Sequence, residues 1–328
     1  MSVTANLRHL VANYVFGRVQ GKPSTSRFWY LPEPAAVFDG ESATRYFDDA
    51  SPSPRYVMNY RAKLRYDYAG EDGIIRLNYG GTVGTQINPL AAFEWALGCH
   101  DRFRDTGSET HRATFLRYAE HFRADQSADG HFLYRFRWFQ SPAPWSSALA
   151  QSRGASVMLR AWMLTGDERY ADAARAALRD FERPVDEGGF LVRHRLDGVP
   201  YFEEYPAQPT AAINGFLAAL FGPFEVGYWL NDADARGVFE RGLDALERLL
   251  PHYTTSWWTL YDFDPDSPLP NVHSPRYHRM VTDYLRVLAA ISGRAAIAAW
   301  RDEWAARDTG INRTRAYALK AYKKIVHR

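Results

Sequence analysis

The stretch from Trp145 to Arg183, WSSALAQSRGASVMLRAWMLTGDERYADAARAALRDFER, predicts two helices joined by a short Gly-Asp turn. Its apolar residues follow helical spacing on both sides of that turn. Asp167 marks the start of the second helix, because a small polar side chain there can accept backbone N–H bonds. The glycine-aromatic segment GGFLVRH (188–194) follows, so the unit is a helical hairpin closed by a brief strand or turn.

The same unit recurs along the chain about every sixty to seventy residues, a period that indicates a repeat architecture. Ser108 and Asp232 mark two further helix starts. The other predicted helix pairs are 88–104 with 108–124, 209–229 with 232–250, and 277–292 with 294–306. Successive hairpins of this kind predict a mainly α fold, an α/α toroid formed as an incomplete barrel of helical hairpins. A helical-repeat scaffold that binds proteins is the alternative. The aromatic and polar loops between the pairs favour the toroid, because loops on a rigid frame concentrate binding and chemistry.

The N-terminal part of the chain has a different composition. Residues 20–60 are rich in Pro, Ser and aromatic residues, which is typical of ordered loops and short strands. From Met58 to Tyr79 the sequence alternates around the loop AGEDG, and this pattern predicts a β-hairpin. We therefore expect an N-terminal region of helix, aromatic loop and β-hairpin over 1–85, followed by the α/α toroid domain over 86–328.

Composition excludes several classes of protein. The 40 Lys and Arg residues nearly balance the 38 Asp and Glu residues, so the clustered basic excess of a nucleic-acid-binding protein is not expected. The single cysteine, Cys99, excludes an intrachain disulfide and a cysteine-cluster metal site. No apolar stretch approaches the ~20 residues of a membrane span. Arg8, His9, Asn13 and Arg18 interrupt any signal-like N-terminal segment, so we expect a cytoplasmic protein.

Three polar and aromatic stretches lie at predicted loops or helix starts: PAPWSSALAQSRG (142–154), PYFEEYPAQPTAAINGF (200–216), and TLYDF (259–263) followed by PNVHSPRYH (270–278). In order and spacing, over about residues 142–292, they resemble the D-glucuronyl C5-epimerase family of heparan sulfate and heparosan modification. The matching features are W-x-S-A-x-A-Q at 145–151, E-E-Y-P at 203–206, N-G-F at 214–216, Leu250, Pro251, Tyr253, Tyr261, Asp262, Asn271, Tyr277 and His278.

The resemblance implies an epimerase that converts D-glucuronate residues of a polysaccharide, heparosan-like or another uronate glycan, to L-iduronate. Such a reaction removes a proton from carbon 5 and returns one to the opposite face, so it needs two acid/base groups and a partner for the developing enolate. The family's suggested pair corresponds to Glu204 and Tyr277, with Tyr205 and Tyr261 in support. A tyrosine, whose ordinary pKa is ~10, acts as a base only where a cation or donor favours the phenolate.

Further side chains are candidates to bind substrate. Near Tyr277, a cation or an imidazole could favour the phenolate, and amides or arginines elsewhere could hold the sugar carboxylate or hydroxyls. Trp258, beside Trp257, is either core or a sugar-stacking wall, since tryptophan presents a rigid apolar face with a polar edge. The predicted substrate-binding residues are Gln151, Arg153, Asn214, Arg276, His278 and Trp258. We expect no cofactor and no metal; the expected partner is a uronic-acid polysaccharide, and a homodimer is compatible with the sequence.

The sequence also departs from the family pattern. The animal enzymes carry an arginine shortly after the Tyr-Asp pair, whereas this chain reads Phe263-Asp264 there. That difference replaces a cation with an anion. It indicates either compensation by Arg276 or a different polymer, such as an unsulfated glucuronate glycan.

Three other functions fit the same residues, because a fold does not settle function. A polysaccharide lyase also removes the carbon-5 proton but then expels the substituent at carbon 4. A glycoside hydrolase needs two carboxyl groups about 5–9.5 Å apart, for which Glu203, Glu204 and Asp262 are available. A non-catalytic carbohydrate-binding protein would bind the polymer without exchanging the proton at carbon 5.

Overall fold

The computed structural model describes residues 18–19, 22–31, 35–37, 46–47, 52–195, 198–264 and 266–326. Its helices are α1 (Thr25–Trp29), α2 (Pro89–Thr106), α3 (Glu109–Asp125), α4 (Ala148–Thr165), α5 (Glu168–Leu178), α6 (Ile213–Ala219), α7 (Phe221–Trp229), α8 (Ala233–Leu249), α9 (Pro275–Ser292), α10 (Ala295–Ala306) and α11 (Gly310–Val326). Its strands are β1 (Arg18–Val19), β2 (Lys22–Pro23), β3 (Leu77–Asn78), β4 (Thr85–Gln86), β5 (Leu191–Arg193) and β6 (Pro200–Phe202). No helix within these ranges is both long and apolar enough to cross a membrane.

The long helices pack as hairpins: α2 with α3, α4 with α5, α7 with α8, and α9 with α10. The first helices of the hairpins contact one another in succession, from α2 to α4, from α4 to α6 and α7, and from α6 to α9. They form an inner layer, and α3, α5, α8 and α10 lie outside it. The predicted mainly α fold, an incomplete α/α barrel of helical hairpins, is therefore confirmed.

Local sequence explains where the helices begin and end. The side chains of Asp167 and Asp232 accept hydrogen bonds from backbone N–H groups at the starts of α5 and α8. Ser108 precedes α3 but makes no side-chain cap bond. Gly107 and Gly166 end α2 and α4 in the left-handed conformation, with φ of 67° and 70°, which glycine adopts without the usual Cβ clash.

The predicted helix over 209–229 is shorter and interrupted. Residues 200–202 form β6, which pairs antiparallel with β5, and α6 begins only at Ile213. The helix then breaks at Leu220 before α7. Pro223 explains the break, because proline has no N–H and is tolerated only in the first turn of a helix.

The predicted β-hairpin over 58–79 forms only next to its loop. There, an antiparallel bridge joins Ala69 and Ile75, and Arg76 N donates to Tyr68 O at 2.8 Å. Residues Arg61–Arg65 form a 3-10 helix instead of the predicted strand. Tertiary contacts override the alternating pattern here, because Lys63 turns inward and donates to the Phe28 carbonyl at 3.1 Å. The predicted helix at the extreme N-terminus falls largely on residues 1–17, outside the described residues.

One hydrophobic cluster includes residues from both sides of the proposed boundary between 85 and 86, among them Phe28, Tyr56, Phe93 and Phe216. Within it, Arg160 of α4 forms a buried ion pair with Glu225 of α7, with Nη2–Oε1 at 2.7 Å and Nη1–Oε2 at 2.9 Å. The Tyr46 hydroxyl donates to the same Glu225 carboxylate at 2.5 Å. This pair ties two inner helices to the N-terminal segment.

We expect Arg160→Met to lower the free energy of unfolding by about 3–5 kcal/mol, because it leaves the Glu225 carboxylate buried without its cation. Urea denaturation followed by circular dichroism measures the change. The matched double variant Arg160→Met/Glu225→Gln removes both charges and should recover most of the loss. A double variant no more stable than the single one would contradict an electrostatic origin.

Candidate active site

A cavity of about 220 Å³ opens among the inner helices and the loops that precede them. Its walls are mainly aromatic, with Trp29, Tyr79, Tyr134, Phe136, Trp138, Trp145, Tyr205, Tyr261, Tyr277 and Tyr284 among the lining residues. The charged residues that line it are Lys63, Glu94, Glu204 and Arg276. The cavity thus combines apolar faces with a few converging polar groups, the usual composition of a small-molecule or sugar site.

Six of the residues predicted for the site line this one cavity: Glu204, Tyr205, Asn214, Tyr261, Arg276 and Tyr277. They come from the loop after β6, the first turn of α6, the loop before α9 and the first turn of α9. Backbone hydrogen bonds join these segments, from Ile213 N to Tyr261 O at 3.0 Å and from Tyr261 N to Asn271 O at 2.7 Å. The fold therefore brings together residues that are more than seventy positions apart.

Several of the lining aromatic rings contact one another. Tyr134 stacks on Trp145, with their ring centroids 4.0 Å apart and their ring planes inclined by 9°. The ring centroid of Tyr205 lies 6.0 Å from that of Trp145. Tyr261 and Tyr277 also meet edge to face, with their ring centroids 5.6 Å apart. Such rings present rigid apolar surface with hydroxyl or indole N–H groups at the edge, which suits a sugar ring.

The two consecutive glutamates have different environments. Glu203 is fully buried, and its carboxylate accepts from the backbone N–H groups of Tyr205 at 3.0 Å and of Thr210 and Ala211 at 3.1 Å. It therefore holds the 205–211 turn. Glu204 lines the cavity, and its Oε2 atom has no hydrogen-bond partner among the described residues. Only the second carboxyl group is available for chemistry.

Burial raises the pKa of Glu204 to about 7; the charge of Glu203 acts in the same direction, and a hydrogen bond with the Tyr205 side chain opposes it. Gly215 provides the space for this carboxyl group. A Cβ atom at position 215 would lie only 2.7 Å from Glu204 Oε2. The Asn-Gly-Phe motif therefore has glycine at position 215 because the Glu204 carboxyl group lies close to its backbone.

Tyr277 exposes 37% of its surface and lines the cavity. Desolvation against the other residues of the cavity and the nearby Glu204 charge raise the pKa of Tyr277 above its ordinary value, and the Arg276 guanidinium opposes this shift without overcoming it. The phenol is therefore neutral near neutral pH. The Arg276 guanidinium is not sufficient to favour the phenolate in the resting protein, so Tyr277 is suited to donate a proton rather than to accept one.

Four predicted substrate-binding residues do not line the cavity, and their positions correct that expectation. The Gln151 amide accepts from Phe132 N at 2.7 Å and donates to the carbonyls of Gly130 and Ala177 at 3.0 Å. It joins backbone segments behind the wall. Arg153 is buried and donates to the hydroxyls of Tyr60 and Tyr56.

The other two of these residues, His278 and Trp258, are buried in contact with each other. The His278 ring bonds to the Thr259 hydroxyl at 2.8 Å and to the Trp304 carbonyl at 3.0 Å. Trp258 stacks on His278 at 3.8 Å between ring centroids and is 0% exposed. Of the two interpretations of Trp258, core packing is correct and the sugar-stacking wall is wrong.

Sequence reasoning missed two charged residues of the cavity. Lys63, from the 3-10 helix, and Glu94, from α2, are 3% and 7% exposed, with Nζ and Oε2 3.9 Å apart. No motif marked either residue, and Lys63 stood in a segment predicted to be a strand. In the described part of the chain, no group of three or more His, Cys, Asp or Glu residues is arranged to hold a metal ion.

The raised pKa of Glu204 predicts a pH-dependent stability. The unfolded chain ionises this carboxyl group near pH 4.5, whereas the folded protein keeps it protonated up to about pH 7. The folded state therefore binds the additional proton between these values, and its stability falls as the pH rises through this window. The loss for this one group is about 3 kcal/mol. Urea denaturation between pH 4 and 8 gives the free energy of unfolding of the wild-type protein and of Glu204→Gln, and the difference between them should fall with rising pH. If the free energy of unfolding of both proteins depends on pH in the same way, the raised pKa of Glu204 is refuted.

Comparison with known proteins gives a family. Residues 126–306 match the family described as D-glucuronyl C5-epimerase C-terminus. The D-glucuronyl C5-epimerase of Caenorhabditis elegans is 31% identical over 178 residues, which are 50% of this chain and 29% of that protein. Uncharacterized protein MJ1128 of Methanocaldococcus jannaschii is 31% identical over 134 residues, 40% of this chain and 44% of that protein. The chain thus spans less than half the length of these curated relatives.

Two solved structures are similar at a lower level. Unsaturated glucuronyl hydrolase from Bacillus sp. GL1 is 16% identical with a TM-score of 0.45, covering 70% of this chain and 60% of that chain. The glycoside hydrolase family 76 mannosidase Bt3792 from Bacteroides thetaiotaomicron VPI-5482 is 12% identical with a TM-score of 0.47, covering 91% and 84%.

Proposed function

The chain belongs to the D-glucuronyl C5-epimerase family, and we propose that it inverts carbon 5 of D-glucuronate residues in a polysaccharide to give L-iduronate. One observation carries the proposal. Glu204, a buried carboxyl group with one oxygen that has no hydrogen-bond partner among the described residues, shares an aromatic cavity with the neutral phenol of Tyr277. A base and an acid are the two groups that the inversion requires.

In the proposed reaction, the Glu204 carboxylate removes the proton from carbon 5, and the electron pair of the C–H bond moves into the sugar carboxylate. Tyr277 then delivers its phenolic proton to the opposite face of carbon 5. The glycosidic bonds stay intact, and exchange with solvent restores the two groups. A base whose pKa is near the working pH is efficient, because a useful fraction is ionised while the group still binds a proton well.

Neighbouring groups would stabilise the charge that develops on the sugar. Burial raises the pKa values of Tyr205 and Tyr261, so both hydroxyls remain protonated donors. Asn214 lines the same cavity, and its Oδ1 atom has no hydrogen-bond partner in the described ranges. It could accept from a sugar hydroxyl. Fixed donors in a water-poor site contribute more than in water, because they need no reorganisation as charge develops.

Two of the three carboxyl groups suggested for a glycoside hydrolase do not face the cavity. Glu203 binds backbone N–H groups, and Asp262 accepts from Asn271 Nδ2 at 2.7 Å and does not line the cavity. The lyase alternative uses the same first proton transfer, and its product distinguishes it. It would shorten the polymer and create an unsaturated uronate that absorbs in the near ultraviolet.

The test is incubation with unsulfated heparosan in heavy water, followed by NMR. We expect deuterium at carbon 5, new iduronate signals and unchanged chain length. Shortened polysaccharide chains with near-ultraviolet absorption would show that the protein is a lyase and not an epimerase. Shortened chains without that absorption would indicate a hydrolase.

The acid/base pair is tested by Glu204→Gln and Tyr277→Phe, which retain shape and remove the reacting group. Each should lose at least ~10²-fold in inversion rate, the low end of what a positioned acid or base contributes, and keep near-normal polysaccharide affinity. Tyr228→Phe is the matched control, because Tyr228 is exposed and does not line the cavity. A Glu204 or Tyr277 variant that keeps full inversion activity excludes that residue from the mechanism.

A further inference from the structure

Three long inner helices, α2, α4 and α9, begin at the cavity. Each contributes a cap or first-turn residue to its lining, namely Asn88, Ser147 and Tyr277. The N-terminal end of a helix carries a partial positive charge, because its first four N–H groups have no partner within the helix. Three such ends around one cavity provide an environment that favours negative charge.

At two of these ends, a side chain already binds the first turn. Asn88 Oδ1 accepts from Ala91 N at 2.9 Å at the start of α2. Ser274 Oγ accepts from Tyr277 N at 3.2 Å at the start of α9. The start of α4 is different, because its cap residue, Ser147, makes no side-chain cap bond to the described residues.

The Ser147 hydroxyl is buried without a partner. Ser147 is 2% exposed, and its Oγ atom has no hydrogen-bond partner in the part of the chain that the structure describes. A buried hydroxyl group without a hydrogen bond costs free energy, so its presence calls for an explanation. Because Ser147 lines the cavity, a ligand bound there would supply the missing bond.

We propose that Ser147 and the start of α4 form a site that binds the carboxylate of the uronate residue; this inference rests on the proposed function. Ser147 has the extended backbone of an ordinary cap residue, with φ of −144° and ψ of 131°. A serine in this position normally accepts from the N–H groups of the second and third helical residues, here Leu149 and Ala150. One carboxylate oxygen in place of that cap therefore meets those N–H groups and the Ser147 hydroxyl together.

The site lies next to the proposed base. Ala148 N, in the first turn of α4, donates to the Glu203 carbonyl at 3.3 Å, and Glu204 follows directly in the chain. Ser147 and Glu204 both line the cavity. The substrate carboxylate is bonded to carbon 5, the atom from which Glu204 is proposed to remove the proton. Donors at the start of α4 thus suit a carboxylate held beside that carbon.

The same donors would assist the reaction. When the carbon-5 proton leaves, negative charge moves into the carboxylate. Hydroxyl and N–H donors that are fixed beside it bind the transition state more strongly than the bound substrate, because they need no reorganisation as the charge grows. The start of α4 also favours a uronate over a neutral hexose, since the helix end attracts an anion.

The test compares the binding of a heparosan oligosaccharide with that of its carboxyl-reduced form by titration calorimetry. We expect the wild-type protein to bind the carboxylate form at least about tenfold more tightly, and Ser147→Ala to reduce that ratio about tenfold, as the loss of one hydrogen bond to a charged group would give. Ser147→Thr keeps a hydroxyl group and should keep most of the preference. Ser146→Ala is the matched control, because the Ser146 hydroxyl bonds to His131 Nδ1 at 3.3 Å and does not line the cavity.

Urea denaturation of the same variants distinguishes binding from a structural role. Ser147→Ala should not lower the free energy of unfolding, because the hydroxyl group has no hydrogen bond to lose among the described residues. Asp232→Ala should lower it, because Asp232 Oδ1 accepts from Ala235 N at 2.9 Å as the cap of α8. A loss of stability in Ser147→Ala like that in Asp232→Ala, with unchanged binding, would make Ser147 a structural cap and overturn the proposal.

A wild-type protein without preference for the carboxylate form, or a preference that is equal in the wild type and Ser147→Ala, would also overturn the carboxylate site. The binding ratio is measured without turnover, whereas deuterium exchange at carbon 5 tests the proposed function. If the ratio is unaffected by Ser147→Ala while the wild-type protein exchanges deuterium, only the carboxylate site fails. If Ser147→Ala lowers the ratio but the wild-type protein exchanges no deuterium, the carboxylate site stands and the epimerase proposal fails.

Discussion

The structure depends on the desolvation of one carboxyl group. Glu204 is held under aromatic walls with an oxygen that no described residue satisfies, and this raises its pKa to about 7. Several otherwise unrelated features serve that placement. Glu203 binds the turn that follows, and Gly215 leaves space where a Cβ atom would collide with Glu204. A carboxyl group whose pKa is raised by burial in this way is suited to accept a proton near neutral pH.

Buried polar links also join the elements of the helical frame. The Arg160–Glu225 pair joins two inner helices, and the Gln151 side chain bonds to three backbone groups, those of Gly130, Phe132 and Ala177. His278 is fixed between the Thr259 hydroxyl and the Trp304 carbonyl, next in sequence to Tyr277. Rigid support of this kind allows loops and first turns to hold reacting groups in place.

The sequence predicted the parts of the fold that local physics controls. Helical spacing, the caps at Asp167 and Asp232, and glycine at the helix ends are all local signals. The motifs also named six residues that line one cavity. The motifs could not distinguish residues that line the cavity from residues that are buried around it, because Gln151 and Trp258 give the same sequence pattern in either position. Lys63 was missed because its position depends on the distant Phe28 carbonyl, which no local pattern encodes.

The central claim is that the buried Glu204 carboxylate removes the carbon-5 proton. The most direct test is the pH dependence of kcat/KM for carbon-5 deuterium exchange in the wild-type protein, because this profile reports the pKa values of the free enzyme. The account predicts that the rate rises with pH through an apparent pKa of about 7. A rate that is already constant from pH 5.5 to 8 would show that the base is an ordinary exposed carboxylate or another group, and would contradict the account.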